Sequence, residues 1–271
     1  MSTTRSALCV AHRRRSQCND AHMPVDVEVR GPVAIITLAR TEKRNAVNSE
    51  MTSAIDTALN DFEDDDSLRV AVLTGGPHVF CAGTDIAEGS GTPTERGGLY
   101  GVIGRKSPKP IIAAVEGFAF GGGLEIALAC DLIVAASTAQ FGLPEVRRGL
   151  VATSGGLFRA PRALPLNIAR EMLLTGDPIS ADRAERLGLV NRVTEPGAAL
   201  DGALALAERI VLNAPTSIRE TLGALEAIVA HSDDRGWQAT TTAREVIYAS
   251  EDRKEGVSAF FERRTPKWPG C

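Results

Sequence analysis

The stretch VEGFAFGGGLEIALACD, residues 115–131, joins the end of an apolar strand to a glycine triplet and an Ala-rich segment. The run at 110–115 predicts a buried strand, and the segment after the triplet predicts a helix that begins near Gly122. The first amides of a helix have no intrahelical partner and lie at the positive end of its dipole, so they can hold a negative oxygen. Glu125 follows on the same helix face. The stretch predicts either an oxyanion donor and a carboxylate facing one pocket, or simply a tight connection.

A second strand ends in a similar turn upstream. The apolar run at 70–74 predicts a buried strand, and it leads into FCAGTDI, residues 80–86. Small residues at Ala82, Gly83 and Thr84 leave backbone amides that could face a ligand. Two such turns supply the donor geometry that a thioester enolate requires.

A second glutamate, Glu145, lies directly after Pro144 in FGLPEVRRGL, residues 141–150. Neighbouring carboxyls in a dry pocket raise each other's pKa, so one can stay protonated near neutral pH and act as an acid while the other acts as a base. Arg147 and Arg148 follow at once. A guanidinium close to Glu145 would lower its pKa, but we expect both arginines to be solvated or paired at a subunit contact.

Four blocks, in this order, give the chain a resemblance to the crotonase superfamily of enoyl-CoA hydratases and isomerases, and within it most of all to the hydratases. They are TEKRNAVN (41–48), FCAGTDI (80–86), the stretch 115–131 and FGLPEVRRGL (141–150), with a weaker match in EDRKEGVSAFFERRTPKW (251–268). The resemblance extends from about residue 23 to the C-terminus. It implies an α/β fold that is a crotonase-like spiral of ββα turns with a C-terminal helical region.

The resemblance also implies the chemistry. The backbone amides of Thr84 and Gly122 would form an oxyanion hole, Glu125 would hold and activate water, and Glu145 would donate a proton to C2 of an enoyl-CoA. Many relatives that isomerise, hydrolyse or dehalogenate acyl-CoAs lack one of these carboxylates, so keeping both favours hydration. Thr84 stands where alanine is common, but the donor there is the backbone amide. No metal or separate cofactor is implied, because coenzyme A is part of the substrate.

Coenzyme A contacts are implied in two of the blocks. Lys43 and Arg44 match the loop that meets the phosphate end of the ligand in the family, and cationic side chains suit phosphate. Alternatively, Lys43 and Arg44 belong to a basic turn that is simply exposed to solvent. Backbone groups implied for the adenine and pantetheine sites are those of Ala46, Ala82, Asp85 and Ile86. The segment at 87–106, rich in Gly, Ser and Thr, shapes a variable acyl pocket in relatives.

Periodicity separates three regions along the chain, and the resemblance implies the roles of the second and third. Residues 1–22 are interpreted as a disordered tail or an over-extended start, residues 23–197 as the spiral core with the CoA site, and residues 198–271 as a helical trimerisation or lid region. In the family this region packs on the core or a neighbour, in trimers that pair into hexamers. The predicted elements are strands at 25–29, 33–38, 70–74, 111–115 and 132–135, a helix capped by Ser49, and C-terminal helices at 198–212, 217–230, 237–248 and 251–263.

Composition narrows the function classes. The chain has 271 residues, 44% hydrophobic, with a net charge of −4, and its first 22 residues carry four Arg against one Asp, so the remainder is more acidic still. A region with this net negative charge is unsuited to binding nucleic acid, whose phosphates are also negative. Five cysteines without CxxC spacing argue against a disulfide framework or a zinc site. No apolar run in the first 22 residues predicts a secretory signal or membrane span, and we expect a cytoplasmic protein. The resemblance implies an enzyme of fatty acid β-oxidation.

Three alternatives stay open from the sequence. A dinucleotide-binding oxidoreductase is disfavoured because GxGxxG is absent: three residues separate Gly117 from the glycine triplet. A catalytically silent acyl-CoA-binding protein of the same fold is disfavoured by the two glutamates. The nearest rival among enzymes is a Δ3,Δ2-enoyl-CoA isomerase.

Overall fold

The computed structural model describes residues 23–271 and has the predicted α/β class. The prediction of a tail at residues 1–22 lies outside the described residues. Six strands form the main sheet: β1 (Val25–Arg30), β2 (Val33–Leu38), β3 (Val70–Thr74), β4 (Ile111–Val115), β6 (Leu132–Ala136) and β9 (Arg192–Thr194). Their spatial order is β1-β2-β3-β4-β6-β9, and only the β1–β2 pair is antiparallel. The five strands predicted from the apolar runs are confirmed.

The central strands are buried on both faces, which explains their continuous apolar sequence. Helix α1 (Ser49–Asp64) covers one face with Met51, Ile55 and Leu59, all of them fully buried. Helix α6 (Ala199–Val211) covers the other with a row of alanines. The N-cap of α1 is Asn48, whose side chain accepts from the Met51 amide at 3.0 Å, so the prediction of Ser49 as the cap is wrong by one residue.

A second, three-stranded sheet positions the glycine triplet. It contains β5 (Phe118–Phe120), β7 (Gln140–Gly142) and β8 (Ile179–Ser180). An isolated bridge joins β5 to the 80–86 turn, since the Cys81 amide donates to Phe118 O at 3.2 Å and the Phe120 amide to Cys81 O at 3.1 Å. Helix α2 (Gly122–Ala129) then begins where the sequence predicts. The two glycine-containing turns are therefore held side by side.

The remaining helices are α3 (Gly156–Ala163), α4 (Leu166–Thr175), α5 (Ala181–Arg186), α7 (Pro215–Ala249) and α8 (Glu251–Glu262). Helix α7 runs unbroken through the predicted gap between 230 and 237, so the prediction of two helices there is wrong. Gly236 is explained by packing instead, because a Cβ at this position would lie 2.4 Å from the ring of Phe158. Among residues 23–271, no helix combines the length and apolar character needed to cross a membrane.

Candidate active site

The two turns present adjacent backbone amides. The Val47 amide donates to Gly83 O at 2.8 Å, and the Asp85 amide donates to Val47 O at 2.9 Å. In this parallel bridge the amide of Thr84, between them, points away from Val47. A Cβ on Gly83 would lie 3.0 Å from the nitrogen of Gly122, the first residue of α2, whose amide has no acceptor within the helix. The structure thus brings the predicted oxyanion donors, Thr84 and Gly122, together.

Glu125 is anchored by one of its two oxygens. Its Oε1 accepts the backbone amides of Ser154 at 2.6 Å and Gly156 at 2.9 Å, and the residue is almost fully buried. Burial raises the pKa of Glu125 above its ordinary value, while these two amides act in the opposite direction. The fixed carboxyl can exchange a proton near neutral pH.

Glu145 lies on the other side of the glycine triplet, in a short 3-10 turn (Pro144–Arg148). Its Oε1 would be 3.2 Å from a Cβ on Gly121, and its Oε2 is buried without a hydrogen-bond partner among residues 23–271. Burial raises the pKa of Glu145, and the neighbouring charge of Glu125 raises it further. The two glutamates are thus close enough for the charge of Glu125 to oppose the ionisation of Glu145.

The arginines after Glu145 have separate environments. Arg147 is exposed, forms an ion pair with Asp177 and donates from Nε to Thr175 O at 2.9 Å. Arg148 is half-buried, with its guanidinium 4.9 Å from the ring centre of Phe260. Arg148 lowers the pKa of Glu145, but by less than burial and Glu125 raise it. The acid role is therefore compatible with both arginines.

The raised pKa values predict a pH-dependent stability. The folded protein binds the Glu145 proton more tightly than the unfolded chain, so stability is lost as the pH rises from the ordinary glutamate pKa through the folded-state pKa. In Glu145→Gln this loss is removed. We expect its Tm, relative to wild type, to be a few degrees higher at about pH 9 than at about pH 5.

Thermal unfolding at the two pH values checks this prediction. Glu220→Gln, on the exposed surface of α7, is the matched control for the substitution itself. A Tm difference between Glu145→Gln and wild type that is the same at both pH values would contradict the burial of an unpaired carboxyl.

The residues implied for CoA lie in one loop beside the 80–86 turn. Lys43 and Arg44 are exposed in and after a 3-10 turn (Thr41–Lys43), and Arg44 has a positive φ of 52°. The next residue, Asn45, is fully buried and donates from Nδ2 to three backbone oxygens of the loop 75–80, each at 3.0 Å. Asn45 thereby holds the two cations at the surface beside the site.

Several of the other implied CoA groups already have partners within the chain. The Ala82 amide donates to Arg44 O at 3.0 Å, and the Asp85 carboxylate accepts from Arg40 Nη1 at 2.7 Å. The same Arg40 nitrogen donates to Ala46 O at 3.0 Å. These contacts clamp the loop to the turn. Ile86 is half-buried next to them.

Sequence reasoning did not select Tyr100, Ser154 or Arg40. The hydroxyl of Tyr100 lies 2.7 Å from Thr84 Oγ1, and the Ser154 amide holds Glu125. Tyr100 belongs to the Gly-, Ser- and Thr-rich segment, where nothing in the local pattern distinguishes it. Ser154 directly precedes Gly155 and Gly156, where α3 begins. This Gly-rich turn could have been recognised from the sequence as a source of unpaired backbone amides.

The two mainly parallel sheets, with two glutamates near two adjacent backbone amides, belong to the crotonase fold class, as solved structures of this fold show. The chain belongs to the enoyl-CoA hydratase/isomerase family, whose sequence model matches residues 28–270. It is an enzyme of the hydratase type, a carbon–oxygen lyase, as the following relatives indicate.

The chain is 44% identical over 260 residues to (E)-benzylidenesuccinyl-CoA hydratase of Thauera aromatica, covering 92% of this chain and 100% of that one. It is 36% identical over 248 residues to short-chain-enoyl-CoA hydratase of Clostridium acetobutylicum, covering 89% and 95%. The crystal structure of carnitinyl-CoA hydratase from Mycobacterium avium superimposes with a TM-score of 0.86 at 39% identity, covering 93% of this chain and 100% of that chain. The predicted family and crotonase-like fold are confirmed.

Proposed function

We propose that this protein adds water across the 2,3 double bond of an enoyl-CoA thioester. The observation that carries the proposal is the convergence of Glu125 and Glu145 on the glycine triplet, beside the adjacent amides of Thr84 and Gly122. The names of the relatives support it, since hydration or dehydration of a CoA thioester is common to them.

The proposed mechanism divides the chemistry between the two acids. The amides of Thr84 and Gly122 bind the thioester oxygen and stabilise the charge that develops there, an effect of about 3 kcal/mol per donor. Glu125, held through Oε1, orients water with its other oxygen and takes the proton as the hydroxyl adds to C3. Glu145, whose Oε2 has no protein partner, delivers a proton to C2. One water molecule is added, and no separate cofactor is required because coenzyme A belongs to the substrate.

The proposed CoA site lies at the clamped loop. The exposed cations of Lys43 and Arg44 contact the phosphates, at least one of them directly, and backbone groups of Ala46, Ala82, Asp85 and Ile86 line the adenine and pantetheine end. The internal hydrogen bonds of this loop support the proposal because they fix the surface before the ligand arrives. Residues 23–197 then form the spiral core with the CoA site, and residues 198–271 a trimerisation or lid region.

The helical region 198–271 is proposed to assemble the enzyme into trimers or paired trimers. Along α7 only Thr240 is buried, while Ile228 and Val246 are 76% and 65% exposed. A long helix with large apolar side chains on its surface is typical of a face that a partner covers.

The free cysteines of the described residues, Cys81, Cys130 and Cys271, fit a reducing cytoplasmic setting. β-oxidation is one pathway that needs the hydration of an enoyl-CoA.

The test of the proposal is the loss of the enoyl thioester absorbance of crotonyl-CoA and of a longer enoyl-CoA, with wild type beside Glu145→Gln. We expect the wild-type enzyme to hydrate at least one of the two enoyl-CoA substrates. In Glu145→Gln we expect kcat to fall about 10²-fold with little change in KM, because only the proton donor is lost. Hydration at the wild-type rate by the variant would contradict the role of Glu145. Migration of the double bond without water uptake would identify an isomerase, and binding without turnover a silent acyl-CoA-binding protein.

A further inference from the structure

The segment at 94–105 is fixed to helix α1 by buried charge pairs. Arg105, with a side chain only 2% exposed, donates to Asp56 Oδ1 at 2.6 Å and to Glu63 Oε2 at 2.8 Å. The Thr94 hydroxyl donates to the same Asp56 oxygen at 2.8 Å, and Arg96 pairs with Glu63 at 2.6 Å. A buried pair of this kind resists separation because each partner would be left as an uncompensated charge. The segment is therefore an ordered part of the site wall.

The glycines of this segment allow it to lie directly on α1. A Cβ on Gly101 would be 2.4 Å from Thr52 O, and one on Gly97 would be 2.6 Å from Asp56 Oδ1. Between them, Tyr100 is buried and has a φ of 54°, a left-handed conformation that is uncommon for a residue with a large side chain. Such a conformation persists only where the surrounding contacts determine it, and it is frequent at functional sites.

The hydroxyl of Tyr100 lies where three parts of the site meet. It lies 2.7 Å from Thr84 Oγ1, and it would lie 2.6 Å from a Cβ on Gly122. Ser154, whose amide donates to Glu125 Oε1 at 2.6 Å, lies near enough for its side chain to lower the pKa of both Tyr100 and Glu125. The phenol therefore contacts the turn of the first amide and lies beside both the helix start of the second amide and the residue that anchors the carboxylate.

We propose that Tyr100 is a positioning residue, whose hydroxyl sets the separation between the Thr84 turn and the start of α2 so that both amides reach one thioester oxygen. The proposal rests on the proposed hydratase function. Loss of the hydroxyl leaves Thr84 Oγ1 without this partner, so the turn, still held by its backbone hydrogen bonds to Val47, can shift slightly relative to the start of α2. A small displacement of a donor has a large effect on the rate because the developing charge is stabilised only at hydrogen-bonding distance.

Tyr100 does not itself exchange a proton in this account. Burial raises its pKa above the ordinary value, and the nearby charge of Glu125 adds to this effect. The phenol stays neutral, so its contribution is the geometry of its hydrogen bonds.

The experiment compares the full-length variants Tyr100→Phe, Thr84→Val and the double variant with wild type, using crotonyl-CoA hydration and thermal unfolding. We expect Tyr100→Phe to lower kcat about tenfold with KM changed less than about twofold. Thr84→Val breaks the same hydrogen bond from its other end, so the double variant is expected to be no slower than the slower single variant. Tyr248→Phe, at the exposed second tyrosine of the chain, is the matched control and is expected to keep the wild-type kcat.

A second readout does not require turnover. The absorption of bound 4-dimethylaminocinnamoyl-CoA moves to longer wavelength as its carbonyl is polarised, and we expect a smaller shift in Tyr100→Phe and Thr84→Val than in wild type. If both variants showed the wild-type spectral shift and the wild-type kcat, the proposal would be overturned. A rate loss explained entirely by the fraction of unfolded protein would overturn it as well. Absence of hydration by wild type would overturn the proposed function alone, since the spectral comparison would still test Tyr100.

Discussion

Glu125→Gln is expected to lower kcat for crotonyl-CoA hydration by about 10³-fold, the largest effect of any single substitution in the site. The substitution is nearly isosteric, and the glutamine oxygen can still accept the amides of Ser154 and Gly156 that hold Glu125. What is lost is the ability to take a proton from water. Binding of the thioester should therefore change little, and the effect should appear in kcat.

Steady-state hydration rates and ligand affinity, measured on the same preparations, check this expectation. Glu116→Gln is the matched control, because Glu116 is also a buried glutamate whose Oε1 accepts one backbone amide, that of Ala199, at 3.0 Å. It belongs to no part of the proposed machinery, and its variant is expected to hydrate at close to the wild-type rate. Equal rates for Glu125→Gln and wild type would remove Glu125 from the mechanism.

Gly122→Ala is expected to reduce kcat by about 10²-fold or more, as loss of one oxyanion donor does in other enzymes. The added methyl would lie 2.6 Å from the Tyr100 hydroxyl and 2.8 Å from its ring carbon Cζ, so either the ring or the start of α2 must move. Movement of α2 displaces the Gly122 amide, and movement of the ring disturbs the hydrogen bond between Tyr100 and Thr84 that positions the other amide. The variant should also show a smaller spectral shift with a chromophoric thioester.

Gly223→Ala provides the control for this substitution. Gly223 lies in α7 with no atom within 4 Å of its added Cβ, and alanine favours a helix over glycine, so the variant should be active and equally or more stable. If Gly122→Ala folded normally and kept the wild-type kcat, the oxyanion hole could not include the Gly122 amide.

The elements that the sequence predicts well are those governed by local periodicity. The apolar runs from Val33 and Val70 are buried strands, and the apolar face of α1 is buried as its spacing indicates. The errors have local causes too. Strand β5 has only three residues and lies among glycines, and Gly236 within α7 serves packing against Phe158, where glycine in sequence suggests a break.

The candidate site depends more on contacts distant in sequence. Glu125 and Gly122 could be placed together from helical spacing alone, but the proximity of Glu145 required the family resemblance. No pattern indicated that Tyr100 reaches the Thr84 turn, because its position is set by Arg105 and its partners on α1. The roles of the implied CoA residues remain predictions.

Isotope incorporation distinguishes the addition of water by paired acids, to a thioester held by two amides, from every other conversion of the substrate. Wild-type enzyme is incubated with trans-hex-2-enoyl-CoA in ¹⁸O-labelled water, and the product is analysed by mass spectrometry. We expect a 3-hydroxyacyl-CoA that carries one solvent oxygen at C3. An isomerised enoyl-CoA of unchanged mass, or unaltered substrate, would contradict it.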